Sequence, residues 1–311
     1  MSGSYGLHIM TNRNKQLSNP FSTGGGGHNF ETRVQAYFVT LMLSGGFAPC
    51  LPPWPIKKIK LQGKYEGYDT DDLIVFIESP DGKKGKLLCQ IKHSVKFTQN
   101  NMIFRKVIQD AWNDFNNTKV FTQGTDSIAL ITGPLSATDI ADVRFVLEQA
   151  RCSESPEDFL TKVDLIRFSS SSKKKKKDAF RKQLKNSHDG IDISNDEFWQ
   201  FMKSFNLLGY DLDVKAGVTL SLIQSLIYQY SPGNAQNLWT QIVYEVQSGN
   251  QSSGTITLDS LPEEIRAGFQ KPGVKRIPAN LGIKPSSPAV INLSNRKLAI
   301  ANLLGGWDEN V

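Results

Sequence analysis

Apolar positions along the chain change period several times, and each change marks an element. Phe30, Val34, Tyr37, Phe38 and Leu41 recur at helical spacing and predict a helix from Asn29 to Leu43, stopped by Gly45 and Gly46. Pro52, Pro53 and Pro55 mark a turn-rich connection. Ile56, Ile59 and Leu61 predict a first strand, Leu73–Ser79 (LIVFIES) a second and Lys86–Ser94 (KLLCQIKHS) a third. Asp81-Gly82 is a hairpin signal, so the second and third strands should be antiparallel. Val107, Ile108, Ala111, Trp112 and Phe115 give the buried face of a helix over 104–115. Ser127–Pro134 (SIALITGP) is apolar on both faces, as a central strand should be. A helix over 136–151 and a fifth strand over 162–168 (KVDLIRF) follow. Strands alternating with helices predict an α/β fold, a mixed sheet flanked by helices.

Beyond this the pattern shifts. Ser169–Lys177 (SSSSKKKKK) is low-complexity and reads as a solvated loop. Helical segments are expected at 178–187, 195–207, 218–230 and 234–248, with a short piece at 260–269 and one short strand at GYDLD, 209–213. The division is a flexible leader over 1–27, a domain over 28–170, a C-terminal helical region over 171–270, and a linker over 271–311 towards a further domain.

Composition narrows the function classes. The chain has 311 residues, 39% of them hydrophobic and 21% charged, enough for a real core. No window approaches the roughly 18 apolar residues of a membrane span, and the N-terminus lacks the apolar run of a secretory signal. Cys50, Cys89 and Cys152 are scattered, which fits neither a disulfide framework nor a zinc site and points to a cytoplasmic setting. They read as core residues. Gly24–Gly27 lacks the Gly-Lys-Ser/Thr that a phosphate-binding loop requires. A net charge of +6 permits a polyanionic partner.

The chemistry concentrates on the second and third strands. Alternation puts Gln90 and Lys92 on one face and Ile91 on the other. Asp71 and Asp72 open the neighbouring strand; Asp72, flush with the apolar run, is favoured over Asp71 and the more distant Asp69. An unpaired buried glutamine would cost on the order of 2–7 kcal/mol, so a polar pair inside LLCQIK means a solvated face or a site. Asp72 can offer a carboxylate oxygen, Gln90 an amide oxygen and Ile91 a backbone carbonyl, a hard set suited to Mg²⁺ or Mn²⁺. Lys92 can orient water and stabilise charge. His93 points away, and Trp112 with Phe115 reads as packing.

The ordered set FETRVQAYF, DDLIVFIE, QIK and AWNDF resembles the PD-(D/E)xK nuclease superfamily in its D…QxK form. It looks closer still to the double-stranded-DNA nuclease domains of bacterial anti-phage effectors, those of CBASS systems and of AVAST-type STAND NTPase sensors. The resemblance covers about residues 25–170. It implies a restriction-endonuclease-like fold and metal-dependent cleavage of double-stranded DNA. The catalytic set would be Glu31, Asp72, Gln90 and Lys92, with Asp72, Gln90 and Ile91 around Mg²⁺ or Mn²⁺. It also implies a homo-oligomer on activation and a STAND NTPase or sensor domain downstream in the same polypeptide. Glu31 has a competing explanation, since acids are favoured in a helix's first turn. Lys83, Lys84 and Lys96 are candidate DNA contacts, although hairpin lysines also protect a sheet edge. The glutamine at a usual acid position keeps a rival reading open: a catalytically degenerate nucleic-acid-binding or oligomerisation module of a sensor protein.

Overall fold

Alternate residues of the second and third strands are buried on opposite faces, and this sets the layering. A computed structural model describes residues 25–165 and 170–270. The leader over 1–24 and the linker over 271–311 lie outside the described residues. The sheet is mixed and six-stranded, β1 (Ile56–Leu61), β2 (Leu73–Glu78), β3 (Lys84–Lys92), β4 (Ser127–Thr132), β5 (Phe205–Gly209) and β6 (Thr255–Ile256), in the order β5-β4-β3-β2-β1-β6. β2 is antiparallel to both its neighbours, β1 and β3; β4 and β5 continue parallel to β3, and β6 is antiparallel to β1.

Leu73, Val75, Ile77, Leu87, Cys89 and Ile91 face a core shared with α1 (Gly25–Leu43), α7 (Val218–Tyr230) and α8 (Ala235–Gln251). Ile74, Leu88, Ile128 and Leu130 face a second core, built with α2 (Met102–Phe115), α3 (Ala137–Arg151), α5 (Ser171–Ser187) and α6 (Asn195–Ser204). The remaining helices are α4 (Pro156–Asp164) and α9 (Glu263–Ala267). Trp112 and Phe115 stack on each other and each meets Phe201 edge to face within the second core, so both are packing residues.

Six expectations are corrected. The strand over 162–168 is not formed by Lys162–Asp164, which end α4; Ser155 accepts from the Asp158 amide, Pro156 opens the helix, and Phe159 and Val163 bury one turn apart. Residues 166–169 lie outside the described residues. The lysine run is no solvated loop. Ser170 caps α5, and ion pairs from Lys176 to Asp139 and from Lys177 to Asp164 draw the run onto α3 and α4. The first helix begins at Gly25, within the expected leader. The short strand forms at Phe205–Gly209, just before the expected place, because Phe205–Leu208 pair with β4. The region over 171–270 is not a separate helical unit: it supplies β5 and β6 to opposite edges of the one sheet. Of the cysteines, Cys89 alone is core, while Cys50 and Cys152 are exposed.

Candidate active site

The β2–β3 ladder pairs Leu73 with Cys89, so its register, carried one residue further, puts Asp72 opposite Gln90. Asp72 is 8% exposed and Gln90 5%. Three donors converge on one carboxylate oxygen, Asp72 Oδ2: the Gln90 side-chain amide, the Ile91 backbone amide at 2.6 Å and Lys92 Nζ at 3.0 Å. The structure therefore selects Asp72 over its neighbours as the residue that meets Gln90 and Lys92. Asp71 and Asp69 line the same cleft, Asp69 paired there with Lys64 and Asn113. Ile91 enters through its N–H.

The backbone ahead of Asp72 is fixed from two sides. Asp114, on α2 and 1% exposed, accepts from the amides of Asp69 at 2.9 Å and Thr70 at 2.6 Å. Gln35, on α1 and fully buried, donates to the Asp72 carbonyl at 2.8 Å. Its own carbonyl accepts from Asn250 of α8 at 2.6 Å. Two helices on opposite faces of the sheet thus aim one carboxylate.

Glu31 lies one helical turn before Gln35. Its Oε1 accepts from Gln62 at 2.6 Å and from Gln35 at 3.3 Å. Burial, reinforced by the Asp72 charge, pushes its carboxyl up to about 7; Lys92 and the Gln62 bond oppose the shift. Because α1 starts at Gly25, Glu31 is beyond the first turn, and the helix dipole does not account for it. Burial also raises the Asp71 and Asp110 carboxyls from their ordinary value.

Asp72, Gln90 and Lys92 open onto a cleft of about 350 Å³, completed by Asp71, Asp110, Lys64 and Lys106. Glu31 lines an adjoining cavity of about 500 Å³ with Gln62, Tyr65 and Asn250, and Lys64 borders both. Lys83 and Lys84 are not brought to this cleft. They sit at the hairpin, roughly 20 Å along β2 from Asp72 at about 3.3 Å per residue. Lys96 is exposed in the loop after β3 and does not line the cleft. His93 turns away to Asp213, at 2.8 Å.

The fit of a divalent cation rests on one atom. Gln90 Oε1 is buried and accepts no hydrogen bond. A buried acceptor without a partner is uncommon, and a bound ion is one explanation for it. With the Asp72 carboxylate it supplies hard oxygen ligands, the donor type Mg²⁺ prefers. Among the described residues, no three His, Cys, Asp or Glu side chains gather as a metal site, so an ion here depends on the amide.

Sequence reasoning missed Gln35, Gln62, Lys64, Asp110 and Asn250. Gln35 had a signal, its one-turn spacing from Glu31. The others come from a 3₁₀ turn, α2 and α8 and carried none.

No family model matches the chain, and no curated protein matches it in sequence. Among solved structures, it is similar to the Acinetobacter baumannii Cap4 SAVED/CARF-domain containing receptor with the cyclic trinucleotide 3'3'3'-cAAA, at 13% identity and a TM-score of 0.43. That match covers 78% of this chain and 49% of the receptor. The same receptor in another structure gives 14% identity over 78% and 48% of the two chains, TM-score 0.42. The Moraxella osloensis Cap4 SAVED/CARF-domain containing receptor gives 13% over 79% and 49%, TM-score 0.41. The chain spans about half the length of these receptors, and no residue's role is taken from them. No described helix is long and apolar enough to cross a membrane.

Proposed function

We propose that this chain is a metal-dependent endonuclease that hydrolyses phosphodiester bonds of double-stranded DNA, working in anti-phage defence. The observation that carries the reading is the convergence of Gln90, Ile91 and Lys92 on Asp72 Oδ2 while Gln90 Oε1 stays unpartnered. Asp72, Gln90 Oε1 and the Ile91 carbonyl would hold Mg²⁺ or Mn²⁺, which supplies charge neutralisation at the scissile phosphate. Lys92, its ammonium at the mouth of the cleft, orients the attacking water and stabilises charge on the phosphoryl oxygens. Glu31, with its carboxyl near neutrality, can hold a proton or take one from water in the adjoining cavity. The bond formed is phosphorus to water oxygen; the bond broken is phosphorus to one ester oxygen, which leaves with a proton. The DNA substrate, the defence context, activation by self-association and a STAND NTPase or sensor partner follow the resemblance of the residues.

A second reading is favoured by the absence, among the described residues, of a three-acid metal cluster. In it the chain is a degenerate nucleic-acid-binding or oligomerisation module of a sensor, and the Asp72–Lys92 contact is a structural ion pair.

Plasmid incubated with the full chain separates the two. The nuclease reading expects nicking or linearisation with Mg²⁺ or Mn²⁺, lost in EDTA and lost in Lys92→Ala with an unchanged melting midpoint. Cleavage that survives chelator or Lys92→Ala overturns it. No cleavage, with retained binding of duplex or of a cyclic trinucleotide in EDTA, supports the module.

A further inference from the structure

At the far end of β2 from the cleft lies a groove of about 640 Å³ whose charged lining is mostly lysine. Strand pairing builds it. Phe76 is the register partner of Lys58 on β1 and of Lys86 on β3, giving one Lys-Phe-Lys row across three strands. Lys58 Nζ stands 4.1 Å from the centre of the Phe76 ring. The ladder between β1 and β2 slips between Ile56 and Lys58, a bulge that brings Lys57 into the same groove. The next rung pairs Glu78 with Lys84.

The charges do not cancel. Lys86 is consumed by Asp126, at 3.3 Å. Lys84 is 4.0 Å from Glu78, with both side chains in solvent. Lys57 and Lys58 have no ion pair among the described residues. A groove that concentrates ammonium groups with an aromatic ring at its floor suits a phosphate backbone.

Its position gives it a relation to the cleft. Asp72, Ile74 and Phe76 alternate onto one face of β2, so groove and cleft open on the same side of the sheet. Four residues separate Asp72 from Phe76, about 13 Å at 3.3 Å per residue. That span matches about four base pairs at 3.4 Å each.

We propose that the Lys57, Lys58 and Lys84 groove is a second contact for duplex nucleic acid, gripping the phosphate backbone about four to six base pairs from the cleft at Asp72. This deepens the nuclease reading in its geometry, yet the grip is a binding property and needs no cleavage.

The test is binding of the full chain to a duplex oligonucleotide in EDTA, by fluorescence anisotropy across a salt series. Lys57→Glu/Lys58→Glu should weaken affinity about tenfold or more and flatten the slope of log K against log salt by about 2, since each lost phosphate contact removes about 0.9. Lys84→Glu, on the other strand, should flatten it by about 1. Lys182→Glu, an equal charge change on α5, should leave the slope unchanged. Unaltered slopes in both groove variants, or no binding of duplex by the wild type, overturn the proposal. So does poly-glutamate bound as tightly as duplex and lost in the same variants, which would make the groove a dock for an acidic protein. Asp72→Asn keeps the two proposals apart: it should abolish cleavage and leave the groove's salt slope intact, and a chain that grips duplex but cuts nothing would retain the groove and lose the nuclease.

Discussion

Gln90 and Asp72 face each other one rung beyond the β2–β3 ladder, and the contact uses only half of the Gln90 amide. Its nitrogen donates to Asp72 Oδ2, while its oxygen, buried, has no partner. Leaving such an acceptor unsatisfied costs about 1–3 kcal/mol. A bound cation would remove that cost.

Magnesium dependence should therefore follow Gln90. Gln90→Met keeps the length of the side chain and deletes the orphaned oxygen. Wild-type protein should gain thermal stability in millimolar Mg²⁺, about 1.4 kcal/mol at tenfold over the dissociation constant. Gln90→Met should show no gain, and Gln90→Glu, with an added charge, a larger one. Thermal melts with and without the ion measure this; an equal gain in Gln90→Met would place the ion elsewhere.

Glu31 makes stability depend on pH. Its carboxyl rises from an ordinary 4.5 to about 7 on folding, chiefly through burial, so the folded chain binds the extra proton between those values. Stability from this group is then complete below about pH 4.5 and declines as pH rises towards 7, by up to about 3 kcal/mol. Glu31→Gln should flatten that decline and be more stable than wild type at pH 8. Urea unfolding in EDTA at pH 5 and pH 8 reads both effects.

Asp114 should matter to the site although it does not line the cleft. Its carboxylate accepts from the amides of Asp69 and Thr70, which lead directly into Asp72. Asp114→Ala should cost about 1–3 kcal/mol for each donor that finds no water. Cleavage should fall mainly in kcat, because Asp72 loses its aim while the lysine groove still binds duplex. Asp114→Asn, which keeps one acceptor, should recover part of both losses.

Double-strand breaks need two sites, one for each strand. If self-association activates the chain, linearisation of plasmid should rise more steeply than linearly with protein concentration, and fusion to a tetramer-forming domain should raise it further. A flat specific activity over a thousandfold range, unchanged by the fusion, would make it a constitutive monomer.

The elements that carry the site were legible in the chain because each obeys a local rule. LIVFIE, Asp81-Gly82 and KLLCQIK fix a hairpin, and a period of two forces Gln90 and Lys92 to share a face whatever surrounds them. The same rules set α1, α2 and the central position of β4. Sequence failed where a distant partner outweighs a local tendency. Five consecutive lysines repel one another in isolation, yet Asp139 and Asp164 hold two of them on α5. Phe205–Leu208 would extend a helix, yet β4 offers an open edge with unmet backbone bonds, and the chain pairs with it. The donors on β3 meet Asp72, the aspartate that its place flush with the apolar run had already favoured. Tertiary structure alone brought Gln35, Gln62 and Asn250 to one place from three elements, and it raised the Glu31 carboxyl by burying it. Periodicity records which face a residue occupies; what stands opposite that face, and how much water remains there, depends on contacts between segments far apart in the chain.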